Sequence, residues 1–193
     1  YTWTVAVGDG VNWNYHIWSF TTDDPYAIIR DGGFEKNVDS DQLLANSPDE
    51  QDWYFSRGSV PSMITLDQTN VGGNATNKVK IQGSTASDAY ITQEFRETIT
   101  GQISMQWDIY VDQILNISGN PDRTGFMFIG QDLNNNGQPN ESTERFAMLA
   151  FEKDGGGTTG TMKLVTRTNA DSWTSFKTVT DGLQLDQWYT TRV

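Results

Sequence analysis

Residues 102–112 read Gln-Ile-Ser-Met-Gln-Trp-Asp-Ile-Tyr-Val-Asp. Ile103, Met105, Trp107, Ile109 and Val111 alternate with Ser104, Gln106, Asp108, Tyr110 and Asp112. Successive side chains of a strand point to opposite faces, so this alternation predicts a long strand with one dry and one wet side. A helix over the same residues would group Ile103, Gln106, Trp107 and Tyr110, mixing the two classes. The stretch is therefore expected to be a central strand of an antiparallel sandwich, with the other segments as its partners.

Composition agrees with that class. Across 193 residues Gly, Thr, Asn and aromatic residues are plentiful, while runs of helical type are scarce, which points to an all-β protein. A net charge of −12 offers no basic patch for phosphates, so nucleic-acid binding is not expected. The same acidity disfavours anionic membranes and suits cation binding. The absence of cysteine excludes disulfides, thiolate metal sites and a cysteine nucleophile. No apolar run approaches the roughly 20 residues of a membrane span. The chain opens on Tyr1 in mid-pattern, and the expectation is a piece of a longer polypeptide. Asn74-Ala75-Thr76, Asn116-Ile117-Ser118 and Asn140-Glu141-Ser142 have the form of glycosylation acceptors, which suits an exterior protein.

Residues 1–22 read as a hairpin. Tyr1, Trp3, Val5 and Val7 alternate with smaller residues, Gly8-Asp9-Gly10 has turn chemistry, and residues 17–22 supply a second strand. Tyr-x-Trp-x-Val-x-Val-x-Asp-Gly followed by Trp-Ser-Phe-Thr-Thr resembles the last two strands of a fibronectin type III or related immunoglobulin-like repeat. Such repeats are common in modular surface proteins of archaea and bacteria. Two strands bury no core of their own, so the segment packs on the next domain, pairs with another chain or is the remnant of such a repeat, the last being the reading preferred.

Residues 23–30 form a linker or edge strand, and residues 31–193 a second domain. Short strands are expected at 63–66, 78–82, 89–95, 126–129, 146–151, 162–168, 172–179 and 188–193, with residues 36–51 as a polar loop. The opening Gly32-Gly33-Phe34-Glu35 is similar to the start of many jelly-roll carbohydrate-binding modules and concanavalin-like domains. The later series resembles a concanavalin-like or laminin G-like jelly roll. It runs from Tyr-Ile-Thr-Gln-Glu-Phe through Trp-Asp-Ile-Tyr-Val-Asp and Gly-Phe-Met-Phe-Ile-Gly to Gln-Trp-Tyr-Thr. The resemblance implies an antiparallel jelly-roll sandwich that lacks its last strands. It also implies that Glu35 helps to hold a structural calcium ion; the other reading makes Phe34 a core aromatic and Glu35 an ordinary exposed acid.

Asp132-Leu133-Asn134-Asn135-Asn136-Gly137-Gln138 is the sharpest local motif. Oxygen donors at alternate positions, with Gly at the sixth, match the first half of an EF-hand-type calcium loop, with side-chain oxygens from Asp132, Asn134 and Asn136 and the carbonyl of Gln138. The twelfth position is Thr143 rather than Glu, and Glu141 and Glu144 lie off register. The same residues also make an ordinary Asn/Gly-rich hairpin loop.

Catalytic constellations are sparse. His16 is the only histidine, which excludes a Ser-His-Asp triad within residues 31–193 and any multi-His zinc site. The Glu-x-Asp-x-x-Glu run of laminarinase-like enzymes does not occur. The expectation is a non-catalytic, secreted or cell-surface module that binds a glycan. Trp53, Tyr54, Tyr110 and Trp173 are its candidate stacking residues, because aromatic faces pack against pyranose rings. For Trp53 the alternative is burial in the core, with Tyr54 on the outer face. The second functional reading is a structural subunit of a filament, stalk or surface layer, joined to neighbouring subunits by strand addition.

Overall fold

The computed structural model describes residues 2–8, 13–19, 29, 31–47, 52–55, 61–82, 89–95, 101–102, 104–115, 122–134, 141–154, 160–171 and 175–192; for 2–8 and 13–19 it describes the backbone alone. The described chain is mostly antiparallel β structure. Strands β1 (Thr2–Gly8) and β2 (Trp13–Ser19) form a two-stranded ribbon in which Thr2 opposes Ser19 and Gly8 opposes Trp13. The second strand thus starts four residues earlier than the apolar cluster at Ile17 suggested. The expected edge strand at 26–30 lies outside the described residues except for Ile29, which sits in a bend.

The polar stretch expected as a loop contains a helix, α1 (Ser40–Ala45). Asp39 caps it by accepting the N–H of Gln42 at 2.9 Å, and the Gln42 side chain accepts the N–H of Val38 at 3.1 Å. The first bond satisfies a backbone donor that the first helical turn leaves orphaned, and the second ties down the residue before the cap. Leu43, 1% exposed, buries the helix against β3 (Tyr54–Phe55) and β4 (Ile64–Asp67), and Ser40 Oγ accepts the N–H of Leu66 at 2.9 Å.

β4 pairs with β5 (Lys78–Ile81), and β3 with β6 (Ile91–Thr92). The last of these is much shorter than the strand expected over residues 89–95. The stretch read as a central strand contains β7 (Gln106–Tyr110), which pairs only with β12 (Trp188–Arg192) among the described residues. Its alternation is real: Met105 and Val111 are buried, Ser104, Gln106, Asp108 and Asp112 exposed. Its position is not central to any sheet. Ile103 lies outside the described residues.

The largest sheet has the order β11-β10-β9-β8, from β8 (Arg123–Gly130), β9 (Phe146–Lys153), β10 (Thr161–Thr168) and β11 (Lys177–Gln184). β9 is the buried centre, and its nearly continuous apolar run follows from cover on both faces. On one face Phe151 and Met162 meet Val111 and Ile114, with Ile109, Leu164, Leu183 and Tyr189 packed around them. Each such side chain contributes about 1.5–3 kcal/mol on leaving water. The β7–β12 ribbon thus packs against one face of the four-stranded sheet.

A bulge in β8 permits the approach. Gly125 has φ 59°, and a Cβ there would stand 2.8 Å from Ile109 Cδ1. β11 spans residues 177–184 rather than 172–179. The Tyr189 hydroxyl fixes the connection to β12, accepting the N–H of Gln184 at 2.8 Å and donating to its carbonyl at 3.1 Å.

Candidate functional site

The outer face of the β4–β5 hairpin carries an open groove of about 500 Å3. Alternation creates it. Ile64 and Leu66 point inward and are buried, so Thr65 and Asp67 point outward; across the ladder Thr65 opposes Lys80 and Asp67 opposes Lys78. Gln82 continues this face, its N–H bonded to the carbonyl of Met63 at 2.8 Å. Ser62, Gln68 and Thr69 complete the polar rim.

The groups of the groove are held differently. Asp67 accepts the N–H of Thr69 at 2.8 Å and its hydroxyl at 2.6 Å. These two bonds, Thr69's hydroxyl first, hold the Asp67 carboxyl below the usual carboxylate range, with smaller help from Lys78 and Lys80. Lys78 donates to the carbonyls of Asp67, Thr69 and Thr76 at 3.3, 2.6 and 2.8 Å, which pins the loop leading to the hairpin tip. Lys80 is exposed, and among the described residues its ammonium has no hydrogen-bond or ion-pair partner. The surface thus offers a free cation, a pre-oriented carboxylate, two amides and several hydroxyls. That mixture of donors and acceptors suits a ligand rich in hydroxyl groups.

The expected aromatic residues are scattered. Trp53 is half-buried, tilted against Phe34 at 5.5 Å, and donates its indole N–H to the Asp31 carbonyl at 3.1 Å. Tyr54 is 8% exposed and donates its hydroxyl to Glu94 at 2.7 Å. Burial first, then the Glu94 carboxylate, push its phenol well above the usual value. Tyr54, not Trp53, is thus the more buried of the pair, and its ring offers no open face. Tyr110 lies against Trp188 with ring centres 5.4 Å apart, and Gly72 closes over both rings. Trp173 lies outside the described residues.

The metal-ligand candidates separate as well. Glu35 accepts from Asn77 Nδ2 at 3.2 Å, within the turn that Asp31 caps. Asp132 lies near enough to Tyr54 for its charge to raise the phenol's pKa. Asn136 and Gln138 are outside the described residues, and Asn134 is exposed. Glu144, off register in the calcium-loop pattern, is fully buried and accepts the N–H groups of Leu133 and Glu141, both at 2.8 Å. It closes the loop from within the protein. Among the described residues no three His, Cys, Asp or Glu side chains gather as a metal site.

A second charged cluster lies across the large sheet. Glu152, 8% exposed, accepts from Arg123 Nε at 2.6 Å and Lys163 Nζ at 2.8 Å. The Arg123 guanidinium stacks 3.8 Å above the Phe176 ring, and Arg167 lies 5.2 Å from the centre of Phe146. Burial, with the Arg123 charge adding to it, lowers the pKa of Arg167 despite the attraction of Asp171.

Sequence reading did not anticipate Lys80, Asp67, Gln82 or Glu144. The alternation Lys78-x-Lys80-x-Gln82 and the Asp67-x-Thr69 turn pattern were the available signals. Among the described residues no helix is long and apolar enough to cross a membrane. Comparison with known protein families, with curated proteins and with solved structures gives no match.

Proposed function

We propose that this chain is a non-catalytic module of a larger secreted or cell-surface protein, and that it binds glycan. In this reading residues 31–193 are a jelly-roll sandwich and residues 1–22 the closing hairpin of an immunoglobulin-like repeat. The observation that carries the reading is the β4–β5 groove, where Lys80, Asp67 and Gln82 present unlike polar groups on one face of the hairpin. Ligand groups that replace water on such a surface gain directional hydrogen bonds, and those to a charged group contribute about 1.5–3 kcal/mol each. Trp53, at the edge of the Asp31 turn, and Trp173 stay as candidate stacking residues. A structural calcium ion on the loop that begins at Asp132 and Asn134 belongs to the same proposal, tying the loop from outside as Glu144 does from inside.

Glycan-array binding of the chain, followed by titration of the best ligand, tests the reading. Lys80→Ala and Gln82→Ala are expected to weaken binding about tenfold each. Absence of binding to any glycan, or binding indifferent to both substitutions, overturns it. A chelator that leaves the melting temperature unchanged removes the calcium.

Assembly into a filament or layer is the second reading, and β1–β2 favours it. A two-stranded ribbon is only marginally stable in water, so it calls for a packing partner from a neighbouring module or subunit. β11 is a less suitable joint. Although exposed everywhere but Leu183, this edge carries Lys177, Asp181, Gly182 at φ 70° and two register shifts, features that obstruct the addition of a strand. Sedimentation that stays monomeric at high concentration counts against assembly.

A further inference from the structure

We infer that Asn74 is presented as an acceptor for an N-linked glycan. Asn74-Ala75-Thr76 is one of three such triplets, and it lies at the tip of the β4–β5 hairpin. Val71 and Asn74 close the tip, each accepting the other's N–H, at 2.9 and 3.0 Å. Gly72 and Gly73 between them both have positive φ, at 55° and 89°, the backbone of a tight two-residue turn. One side of this turn lies against Tyr110 and Trp188, whereas around Gly73 there is open space. Ala75 and Thr76 are both exposed. Asn74 itself is half-buried, so a transferase reaches the triplet from the exposed side of the turn, past Gly73, Ala75 and Thr76.

The side chains are oriented for the transfer. Asn74 Oδ1 accepts the N–H of Thr76 at 2.9 Å and its hydroxyl at 2.7 Å. With the oxygen engaged by the hydroxyl that the motif requires, the amide nitrogen Nδ2 faces away, and among the described residues it donates to no acceptor. The donor in the reaction is a polyprenyl-pyrophosphate-linked oligosaccharide. Nδ2 attacks the anomeric carbon, a C–N bond forms, and the bond from that carbon to the pyrophosphate oxygen breaks. The pyrophosphate leaves with the bonding pair, and Nδ2 gives up one proton to a base of the transferase.

The inference rests on the extracellular reading, because the donor lipid is met during export. The test separates the two. Fusing the full chain to a secretory leader in cultured mammalian cells imposes the route, so occupancy read on the Asn74 peptide, apart from those of Asn116 and Asn140, reports on the site and not on the route. Peptide mapping of the secreted chain before and after peptide-N-glycosidase is expected to find Asn74 occupied. Asn74→Asp keeps Oδ1 for the Thr76 contacts but lacks the nucleophile, and it should lose the mass of one glycan without change in fold. Thr76→Ala should do the same, and Thr76→Ser should lower occupancy. A secreted, folded chain with an unmodified Asn74 peptide overturns the inference, as does a Thr76→Ala variant with undiminished occupancy at Asn74.

Discussion

The carboxylate of Glu144 accepts the backbone N–H of Leu133 at 2.8 Å, so the end of one loop holds its own beginning. Its other oxygen accepts the N–H of Glu141 at the same distance, and the side chain is fully buried. A buried carboxylate is tolerable only because both oxygens are engaged by donors. Glu144→Gln keeps the volume but turns an NH2 group toward one of the two N–H donors. The expected loss is about 2–3 kcal/mol in urea unfolding, with an unchanged denaturant slope. A loss within error of zero would show that the loop is held by other contacts.

Glu152 shows the same dependence among charged groups. Arg123 and Lys163 both bond to it, and the Arg123 and Glu152 side chains are only 7% and 11% exposed. Removing one partner of a buried pair strands the other charge, at a cost of about 3–5 kcal/mol. Glu152→Ala is expected to fall in that range. Glu152→Met combined with Arg123→Met should recover much of the loss, because the buried cation goes with its partner while Lys163, 26% exposed, can turn to water. A double variant as unstable as the single one would assign the effect to packing.

The all-β class and most strand positions were legible because alternation reports burial directly. Residues 146–151 also announced themselves by apolar content. Pairing order was not legible. Residues 104–111 carry a perfect alternation, yet β7 is half of a two-stranded ribbon, since alternation records which face is dry and not how many neighbours a strand has. α1 was missed although Asp39 and Gln42 stand at capping-box spacing, because its single fully buried residue, Leu43, gives no helical periodicity. Aromatic residues misled in the site for a related reason. Tyr54 and Tyr110 have polar tips, which satisfy buried or packed positions as readily as exposed ones.

Acid should destabilise the fold partly through Asp171. Its carboxylate accepts the N–H and hydroxyl of Thr168, both at 3.0 Å, and pairs with Lys177 at 3.2 Å. The Thr168 backbone bond first, then the Lys177 and Thr168 side chains, place its pKa below the usual carboxylate range. A carboxyl with a depressed folded-state pKa stabilises the fold above its unfolded value near about pH 4, and this contribution is lost as the pH falls through the folded value. Asp171→Asn should therefore lower stability at neutral pH and flatten its decline below about pH 4. Parallel decline in both proteins, followed by urea unfolding across the acid range, would exclude Asp171 as a contributor.

Gly72 couples the hairpin tip to the β7–β12 ribbon. Its φ is 55°, and an added Cβ would stand 2.7 Å from Tyr110 Cε2 and 3.1 Å from Trp188 Cδ1. The Trp188 indole N–H donates to the neighbouring Val71 carbonyl at 2.8 Å, so the Trp188 ring cannot retreat without breaking that bond, and Tyr110 lies against that ring. Gly72→Ala thus combines a left-handed alanine, about 1–2 kcal/mol, with overpacking of about 1–3 kcal/mol. Gly73→Ala supplies the control. Its φ of 89° carries a backbone cost too, but nothing lies within 4 Å of the added methyl. In urea unfolding Gly72→Ala should lose about 1–3 kcal/mol more than Gly73→Ala, with the excess measuring the contact. Equal losses would mean that the tip stands clear of Tyr110 and Trp188, and that the ribbon is held without it.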